Sequence, residues 1–426
     1  MQKHPAIDRW KDYKFGMFIH YGLYSILGEG EWVMFQKPID KDEYAKLTTR
    51  FTAEKFDAAH LASLAKQAGM KYMVLTARHH DGFCLFDSKA SIGNYTVMTT
   101  PARRDIIREY TDACRAEGLG TGIYYSPMDW RCEGFFFPQM YHTSALQMRA
   151  QCHAQVRELM SNYGKIDVLW YDGGEDYWLA HGKHLNGLQP EDYRACPLIE
   201  NFWGEEELDA AVRGLQPDIV ISNRLGMRRC GDYGTPERVV GAFDPNHPWE
   251  TCDTLSESWG WMPNRPLRST QNVLHLLIDV VTGGGNLLLN VSPMGDGSLE
   301  PAHEARLLEV GAWLEKYGEA IYGTRGGPVK NDKSFGGATC RNNKVYFLVK
   351  NPDCKRVRLP LLAAKCESVR CLTGETVSLS EENGILTVSL PESGRDDYAT
   401  IVEITLNAPT YEVYADFDPN GFDAFA

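Results

Sequence analysis

Several features that place proteins in common functional classes are missing from this 426-residue chain. Its 44 Lys and Arg are outnumbered by 57 Asp and Glu, which gives a formal net charge of −13. Nucleic-acid binding depends on a surplus of positive side chains that displace counterions from phosphates, so we expect no nucleic-acid partner. No apolar run reaches the roughly 18 residues that cross a bilayer, so we expect no membrane partner either.

The N-terminal stretch MQKHPAIDRW lacks the apolar segment of a signal peptide. The 11 cysteines are scattered along the chain without a C-x-x-C pair. This usage suits reduced thiols better than a disulfide framework or a zinc site. We therefore expect a cytoplasmic protein, or a periplasmic or secreted one if a signal peptide has been removed.

Common catalytic motifs are also missing. The chain has neither the G-x-S-x-G of serine hydrolases nor a P-loop, and no G-x-G-x-x-G follows the first strand-like run. Aromatic residues, by contrast, make up 11% of the chain, with 10 Trp and 21 Tyr. Aromatic rings stack on the C–H faces of sugars, whereas sugar hydroxyls need polar partners. The composition therefore indicates carbohydrate binding, with ordinary core packing as the alternative.

Residues 1–325 alternate short apolar runs with helical patterns. The strand-like runs lie at 15–20, 71–76, 120–126, 166–172, 218–223 and 285–292. The helix-like stretches lie near 56–68, 103–117, 143–162, 205–214, 269–282 and 302–317. Strands that are apolar on both faces and separated by helices are typical of a parallel sheet with helices outside. We predict an α/β fold, a (β/α)8-like TIM-type barrel, with a doubly wound open sheet as the alternative.

The rest of the chain has a different pattern. Residues 326–406 contain short alternating segments separated by turns, which predicts an antiparallel β-sandwich. Residues 407–426 are acidic and contain several aromatic residues without a clear period. This C-terminal tail is either a packed extension or a loose end.

Polar side chains follow nearly every strand-like run, and in a parallel barrel catalytic residues lie at the carboxyl ends of the strands. They are His20, Arg78, His79, His80, Asp81, Tyr124, Tyr125, Asp129, Asp172, Asn223, Arg224 and Asn290. The strongest candidate is Asp172, which ends an apolar run beside Trp170 and precedes two glycines. This position suits a nucleophile or an electrostatic stabiliser, with a turn or helix-capping aspartate as the alternative.

Glycosidases use two carboxyl groups, so a second acid is needed beside Asp172. The candidates are Glu31, Asp129, Glu237 and Glu250. Periodicity does not rank them, and each is otherwise an ordinary surface charge.

The run His79-His80-Asp81 invites a metal interpretation. Adjacent residues at a strand end point in opposite directions, so the two histidines are poorly placed to chelate one ion. We therefore expect no metal and no cofactor, and we assign these residues to hydroxyl recognition or structural support. A second conspicuous run is the loop 131–138, with Phe135, Phe136 and Phe137. It is a lid, a sugar platform or part of the core.

Taken together, ordered motifs show that the sequence resembles the α-L-fucosidases of glycoside hydrolase family 29. The matching motifs are Phe15–Gly22, Glu31-Trp32, His79–Phe83, Arg104-Asp105, Tyr124–Ser126, Leu169–Asp172, Asn223-Arg224, Trp249-Glu250, Ser258–Trp261 and Gly284–Val291. They cover residues from about 10 to 325, and the β-sandwich also matches the layout of the family. The chain departs from the family in having a short stretch between His20 and Glu31 and in having Val33 after Trp32.

The resemblance implies a retaining exo-hydrolase that removes terminal α-L-fucose from glycans or other fucosides. It implies Asp172 as the nucleophile, Glu237 as the acid/base, and Glu250 as a supporting residue or the alternative acid. It further implies substrate binding by His20, Glu31, Trp32, His79, His80, Tyr124, Trp170 and Arg224. The expected partner is a fucosylated oligosaccharide or glycoconjugate, and a homo-oligomer stays open. The alternatives are a glycosidase for another sugar, such as an α-L-galactoside, and a non-catalytic fucose-binding lectin-like protein.

Overall fold

The computed structural model describes residues 5–175, 178–179, 201–226, 228–374 and 376–425. The first four residues of the N-terminal stretch and the last residue of the C-terminal tail, both considered above, lie outside these ranges. Within them, a parallel sheet with surrounding helices is followed by two packed antiparallel sheets. This arrangement confirms the predicted fold class, and the division of the chain at residues 325 and 406 stays a prediction.

The parallel sheet has seven strands in the described chain, ordered β6-β4-β3-β2-β1-β9-β8. Their bounds are β1 Phe15–Ile19, β2 Tyr72–Arg78, β3 Gly120–Tyr125, β4 Val168–Tyr171, β6 Val220–Ile221, β8 Glu250–Thr254 and β9 Asn286–Val291. A separate parallel pair joins β5 Gly174–Glu175 to β7 Leu225–Gly226. Six of the seven strands match predicted apolar runs: five fall within them, and β2 extends two residues beyond the run 71–76. The seventh, β8, was missed because its sequence ETCDT is polar although every residue in it is buried.

Residues 232–238, which we call the closing segment, join the two edge strands of this sheet. The Asp232 amide donates to the Ile221 carbonyl on β6 (2.8 Å), and the Arg238 amide donates to the Cys252 carbonyl on β8 (2.9 Å). Parallel bridges pair the segment with both neighbours: Ser222 with Tyr233, and Glu237 with Cys252. The segment therefore takes the place of an eighth strand, and the sheet closes into a barrel.

Helices surround the barrel, and the six predicted ones are confirmed with small shifts at their ends. They are α5 Ala58–Gln67, α6 Ile106–Glu117, α8 His142–Asn162, α9 Glu205–Leu215, α10 Thr270–Thr282 and α11 Pro301–Tyr317. Side-chain caps fix several starts: Asp105, for example, accepts a hydrogen bond from the Arg108 amide (2.9 Å). Shorter helices are α1 Pro5–Tyr13, α2 Tyr24–Leu27, α3 Val33–Gln36, α4 Lys41–Ala45, α7 Glu133–Phe136 and α12 Thr410–Val413.

The barrel has an inner and an outer core. The inner core is filled by large side chains from the strands, among them Phe18, Tyr72, Tyr124, Trp170 and Leu288. Helix α1 covers the amino-terminal end of the barrel, where Trp10 packs on Tyr233 with ring centroids 4.5 Å apart. The outer core joins the other strand faces to the helices. Because both faces of each strand are covered, the strands read as continuous apolar runs.

The C-terminal part consists of a five-stranded and a three-stranded antiparallel sheet, ordered β10-β11-β12-β17-β14 and β13-β16-β15. The bounds are β10 Arg325–Gly326, β11 Gly336–Arg341, β12 Lys344–Val349, β13 Arg356–Pro360, β14 Cys366–Cys371, β15 Ser378–Glu382, β16 Ile385–Ser389 and β17 Thr400–Leu406. Along β12, Val345 and Phe347 enter the core between the sheets, whereas Tyr346 and Leu348 join the core of the barrel. Alternating side chains therefore attach the sandwich to the barrel.

The C-terminal tail packs on the sandwich over its described length. Tyr414 donates a hydrogen bond to the Pro360 carbonyl (2.9 Å), and the Arg358 amide donates to the Ala424 carbonyl (2.8 Å). The ring of Phe425 stacks on Phe335 with centroids 5.7 Å apart. These contacts show a packed extension. None of the helices in the described ranges is both long and apolar enough to cross a membrane.

Candidate active site

A small cavity of about 140 Å³ opens at the carboxyl ends of the barrel strands. It is lined by Phe18, His20, Glu31, Trp32, His79, His80, Tyr124, Trp170, Asp172, Trp178, Arg224, Glu237, Cys252 and Trp259. All the residues to which the sequence assigned catalysis or substrate binding are in this set; Glu250 is not. Cavities for drug-sized ligands usually measure about 300–1,000 Å³, so this one suits a single small ring.

Asp172 follows β4 directly, and both of its carboxylate oxygens have partners. Tyr124 donates its hydroxyl hydrogen to Oδ2 (2.8 Å), and the Nη1 of Arg224 donates to Oδ1 (2.9 Å). Burial works to raise the pKa of Asp172, but the positive charge of Arg224, the nearby His80 and the hydrogen bonds outweigh it. The pKa of Asp172 therefore lies below its ordinary value. The carboxylate is ionised at neutral pH and faces the cavity.

Arg224 links the two acids of the cavity. The same Nη1 atom contacts Asp172 Oδ1 at 2.9 Å and Glu237 Oε2 at 3.0 Å. The rest of the guanidinium is held by Thr235, whose hydroxyl accepts from Nε (2.7 Å) and whose carbonyl accepts from Nη2 (3.0 Å). The guanidinium also lies over the ring of Trp170, 4.8 Å from its centroid. These contacts fix the position of the positive charge between the carboxylates.

Glu237 lies near the end of the closing segment, which explains why it reaches the same rim as Asp172. Its side chain is 41% exposed, against 20% for Asp172. Glu237 thus sits at the mouth of the cavity, in contact with both water and Arg224. Asp129, another candidate from the sequence, lies elsewhere: it is fully buried and bonded to Arg78 and Arg131.

The expected orientation of the two adjacent histidines was wrong. We expected His79 and His80 to point in opposite directions, but both line the cavity, with ring centroids 4.0 Å apart. The reason is that β2 ends at Arg78, so the alternation of a strand no longer applies to residues 79 and 80. His80 binds the Ser126 hydroxyl through Nδ1 (2.6 Å), and its Nε2 lies 3.6 Å from Asp172. Burial lowers the pKa of His80 to about 4, so its ring is neutral at pH 7.

His20 occupies the neighbouring position at the end of β1. Its Nδ1 is 2.7 Å from the Asn290 side-chain oxygen, and the Asn290 amide group donates to the Trp259 carbonyl (2.8 Å). Burial lowers the pKa of His20 to about 4. The Asn290 contact orients the ring, and its Nε2 edge is left for a ligand hydroxyl.

Glu31 and Trp32 come from the loop after β1. The Oε2 atom of Glu31 accepts a hydrogen bond from the Gly260 amide (2.8 Å), and the side chain is nearly buried. Burial raises the pKa of Glu31 despite that hydrogen bond. The Trp32 ring packs edge-on against His80 at 5.3 Å. The short loop between His20 and Glu31 therefore still brings both residues to the cavity.

Glu250, the alternative acid, lies beneath the cavity at the start of β8. It is fully buried, accepts a hydrogen bond from the Trp170 Nε1 (2.9 Å) and binds the Tyr72 hydroxyl. Burial raises the pKa of Glu250 to about 7, a value typical of general acids. Nonetheless its hydrogen-bond partners are the Trp170 indole N–H and the Tyr72 hydroxyl, and it does not line the cavity. Glu250 thus lies behind the cavity wall that a ligand would contact.

Within the described ranges, His79, His80 and Asp172 bring one ligand atom each to within 4.8 Å of one another, which is close enough to hold a metal ion. Both Asp172 oxygens are already bonded, one of them to the positive Arg224. A cation at this point would have to displace that guanidinium or tolerate its charge. The donor set therefore fits a metal ion poorly.

Four cavity residues were not singled out as site residues from the sequence: Phe18, Cys252, Trp178 and Trp259. Phe18 lies inside an apolar strand, where nothing separates a site residue from a core residue. Trp259 packs on His20 at 5.3 Å and on Phe18 at 5.9 Å. Its motif, Ser258–Trp261, was part of the family resemblance, but the resemblance assigned no role to Trp259.

A parallel barrel that holds two carboxylates, neutral histidines and aromatic walls around a cavity for one ring is the architecture of a glycoside hydrolase. Comparison with known proteins specifies the class further. The family profile described as Alpha-L-fucosidase matches residues 1–319. The chain belongs to the alpha-L-fucosidase family, and it is a glycoside hydrolase with alpha-L-fucosidase activity.

Individual relatives of the chain are also alpha-L-fucosidases. Human plasma alpha-L-fucosidase is 30% identical over 354 residues, which cover 76% of this chain and 71% of the human protein. Alpha-L-fucosidase isoenzyme 1 from Paenibacillus thiaminolyticus is 34% identical, with a TM-score of 0.79 over 94% of this chain and 99% of that one. The trapped covalent intermediate of an alpha-L-fucosidase from Bacteroides thetaiotaomicron, in complex with 2-fluoro-fucosyl fluoride, is 27% identical. Its TM-score is 0.82 over 96% of this chain and 97% of that one. The family implies a fucosylated substrate.

Proposed function

We propose that this protein removes terminal α-L-fucose with retention of configuration, with Asp172 as nucleophile and Glu237 as acid/base. The observation that carries the proposal is the single Arg224 nitrogen shared by both carboxylates. Asp172 Oδ1 and Glu237 Oε2 can be no farther apart than the sum of their distances to that nitrogen, about 6 Å. Carboxyl groups of retaining glycosidases lie roughly 5–5.5 Å apart, and those of inverting enzymes roughly 6.5–9.5 Å. The geometry supports retention.

In the first step, Asp172 attacks the anomeric carbon while Glu237 gives its proton to the leaving glycosidic oxygen. A covalent fucosyl ester forms on Asp172 as the glycosidic bond breaks. In the second step, Glu237 takes a proton from water, which displaces Asp172 and releases α-L-fucose. The lowered pKa of Asp172 supports its role as nucleophile, since only the carboxylate attacks. The covalent intermediate trapped in the Bacteroides relative is the species that such a route requires.

The exposure of Glu237 supports its role as acid/base. A group that donates a proton and then accepts one from water must reach both the leaving oxygen and the solvent. Glu237 lies at the mouth of the cavity, whereas Glu250 is fully buried and bonded to Trp170.

Substrate recognition divides between polar and apolar walls. His20 and His80 are neutral, and because Asn290 and Ser126 bind their Nδ1 atoms, each ring has its Nε2 atom left for a sugar hydroxyl. The aromatic pair Phe18 and Trp259 supplies an apolar wall suited to the 6-methyl group of fucose. An α-L-galactoside would place a hydroxymethyl group against that wall without a partner for its hydroxyl.

The test uses a chromogenic α-L-fucoside and the variant Asp172→Gly. We expect the wild type to release the chromophore and the variant to be inactive, with azide restoring turnover and producing a fucosyl azide of inverted configuration. Undiminished activity in the variant would remove Asp172 from its role. No release by the wild type, or preferential release from an α-L-galactoside, would overturn the fucose assignment. Binding of fucose without turnover would favour the lectin-like alternative.

For Glu237, the diagnostic variant is Glu237→Ala, and Glu257→Ala is the matched control. Glu257 is another glutamate near the rim, and its side chain is 62% exposed. We expect Glu237→Ala to lose activity steeply on fucosides with poor leaving groups and much less on those with activated ones, because an activated leaving group needs no proton. A variant fully active on poor leaving groups would exclude Glu237. The control should retain activity on both.

We also propose that the protein works in a reducing compartment such as the cytoplasm. The ten cysteines in the described ranges are unpaired, and six of them, including Cys84 and Cys252, are buried. Buried thiols far from a partner gain nothing from an oxidising environment. Cell fractionation that found the active protein outside the cell would contradict this proposal.

A further inference from the structure

Two neutral histidines, His20 and His80, line the active-site cavity, and each ring binds a buried polar side chain through its Nδ1 atom. A neutral imidazole carries one proton, on either Nδ1 or Nε2, and the other nitrogen accepts hydrogen bonds. The group that binds Nδ1 therefore determines what Nε2 offers to a ligand. The two groups differ in chemistry, since an amide oxygen binds His20 and a hydroxyl binds His80.

The proton of His20 is placed by Asn290. The Asn290 amide group has one favourable orientation, because its nitrogen donates to the Trp259 carbonyl (2.8 Å), and a flipped amide would set two oxygens against each other. The Oδ1 atom, which only accepts hydrogen bonds, therefore lies 2.7 Å from His20 Nδ1. His20 thus carries its proton on Nδ1, and its Nε2 atom presents a lone pair to the cavity.

The proton of His80 is placed on the opposite nitrogen by Ser126. This serine is fully buried, and in the part of the chain that the structure describes its hydroxyl has one hydrogen-bond partner, His80 Nδ1 at 2.6 Å. If Nδ1 carried the proton, the hydroxyl hydrogen of Ser126 would be buried without an acceptor, which is unfavourable. Ser126 therefore donates to Nδ1, and the proton of His80 lies on Nε2.

The position of Asp172 leads independently to the same tautomer of His80. The Nε2 atom of His80 lies 3.6 Å from Oδ2 of Asp172, whose pKa is lowered. An N–H group at this point faces the carboxylate favourably, whereas a nitrogen lone pair would be repelled by it. His80 therefore presents a donor beside the nucleophile, whereas His20 presents an acceptor.

We propose that Asn290 and Ser126 are positioning residues that hold His20 and His80 in opposite tautomers. A ligand group at His20 must then donate a hydrogen bond, and a group at His80 must accept one. A hydroxyl can do both, whereas an ammonium group only donates and an ether oxygen only accepts. The inference rests on the proposed function, since it assumes that fucose hydroxyls meet these two rings.

The tautomers can be measured by NMR on protein labelled with ¹⁵N in its histidine rings, because long-range proton–nitrogen correlations distinguish a protonated ring nitrogen from a bare one. His20→Gln and His80→Gln identify the signals of the two rings among the 12 histidines. At pH 7 we expect His20 to be protonated on Nδ1 and His80 on Nε2. The same tautomer on both rings, or the reverse assignment, would overturn the proposal.

Asn290→Leu removes the acceptor at nearly constant volume, so the proton of His20 should move to Nε2, where cavity water accepts it. Asn286→Leu is the matched control. Asn286 lies on the same strand and is equally buried, but its amide donates to the Trp10 carbonyl (2.7 Å) at the other end of the barrel. The control should keep the wild-type tautomers. An unchanged His20 tautomer in Asn290→Leu would remove Asn290 from its role, and the wild-type spectrum still decides the tautomers if that variant does not fold.

For the other ring, Ser126→Ala removes the hydroxyl and Ser126→Thr keeps one. The Ala variant should move the Nδ1 resonance of His80 to that of an unbonded nitrogen, and the Thr variant should restore it. A resonance that does not move in Ser126→Ala would contradict donation by Ser126.

Activity on a chromogenic α-L-fucoside completes the test. We expect kcat/KM to fall about ten-fold in Asn290→Leu and less than two-fold in Asn286→Leu, and equal losses would contradict a role in recognition. The tautomers are measured without substrate, so the two proposals fail separately. Expected tautomers without hydrolysis by the wild type would contradict the proposed function alone, whereas hydrolysis with other tautomers would contradict this inference alone.

Discussion

Glu250 offers the sharpest test of how the buried part of the site is built. It lies fully inside the barrel, and its partners Trp170 and Tyr72 both donate hydrogen bonds to it. Burial raises the pKa of Glu250 from 4.5 to about 7. A group whose folded-state pKa is raised stabilises the fold fully below its unfolded pKa, and that contribution is lost as pH rises through the folded pKa. The stability contribution of Glu250 is therefore lost between about pH 4.5 and 7.

The size of the effect follows from the same two pKa values. Each unit of difference corresponds to about 1.4 kcal/mol, so the full loss is about 3 kcal/mol, most of it between about pH 5 and 7. Glu250→Gln keeps the shape of the neutral acid and an acceptor for Trp170, but it does not ionise. We expect the variant to have nearly wild-type stability at pH 5 and to be more stable than wild type by about 2–3 kcal/mol at pH 8.

Urea unfolding of both proteins at a series of pH values measures this difference directly. Glu257→Gln controls for the same substitution at an exposed position. A stability difference between wild type and Glu250→Gln that stays constant from pH 5 to 8 would refute the reasoning, since it would mean that Glu250 does not take up its proton on folding. Activity is a second readout. Glu250→Gln should keep most of its activity on poor leaving groups, whereas loss equal to that of Glu237→Ala would return Glu250 to the role of acid.

Three further predictions concern the surroundings of the site. Arg224→Gln should lower kcat about 100-fold and move the acid limb of the pH profile to higher pH, because Arg224 is the main charge that lowers the pKa of Asp172; an unmoved limb would contradict this. Gly82→Ala should destabilise the fold by about 2–4 kcal/mol in thermal unfolding, because φ is +78° and an added Cβ would lie 2.5 Å from an Asp129 oxygen; an unchanged Tm would show that the turn adapts. Activity should survive dialysis against EDTA, since the positive Arg224 already binds one Asp172 oxygen and would repel a cation there; a loss restored by a divalent cation would point to a metal ion at His79, His80 and Asp172.

The sequence predicted the barrel well where its strands are apolar on both faces and poorly where they are not. β1, β2 and β9 consist of apolar runs that a closed parallel sheet requires. β8 has the sequence ETCDT, and its polar side chains are buried with partners: Glu250 bonds Trp170 inside the barrel, and Asp253 pairs with Arg268 on the other face of the strand. No periodicity marks such a strand. The closing segment was missed for a related reason: its bridges depend on neighbours that are distant in sequence.

The candidate site shows the same division. Strand ends alone placed Asp172, His20 and Arg224 at one rim, because topology brings those ends together. The residue pattern alone did not rank Glu237 against Glu250 as the acid. The two residues differ in burial, which only the structure reveals: Glu237 is partly exposed and Glu250 is fully buried. The orientation of His79 and His80 required knowing that β2 ends at Arg78, so that neither histidine follows the alternation of a strand.

The two catalytic carboxylates are attached to parts of the barrel that differ in how firmly they are hydrogen-bonded. Asp172 is attached to a regular strand that is bonded on both sides, whereas Glu237 is attached to a segment that bonds β6 only at residues 232 and 233 and is bonded on the β8 side alone from residue 234 onwards. Hydrogen exchange should therefore be faster in residues 232–238 than in β4. Opening of that segment would carry away the proton donor and leave the nucleophile in place. The parts of the fold that carry Asp172 and Glu237 thus differ in local stability. Heat or denaturant should therefore abolish protonation of the leaving group before it abolishes nucleophilic attack.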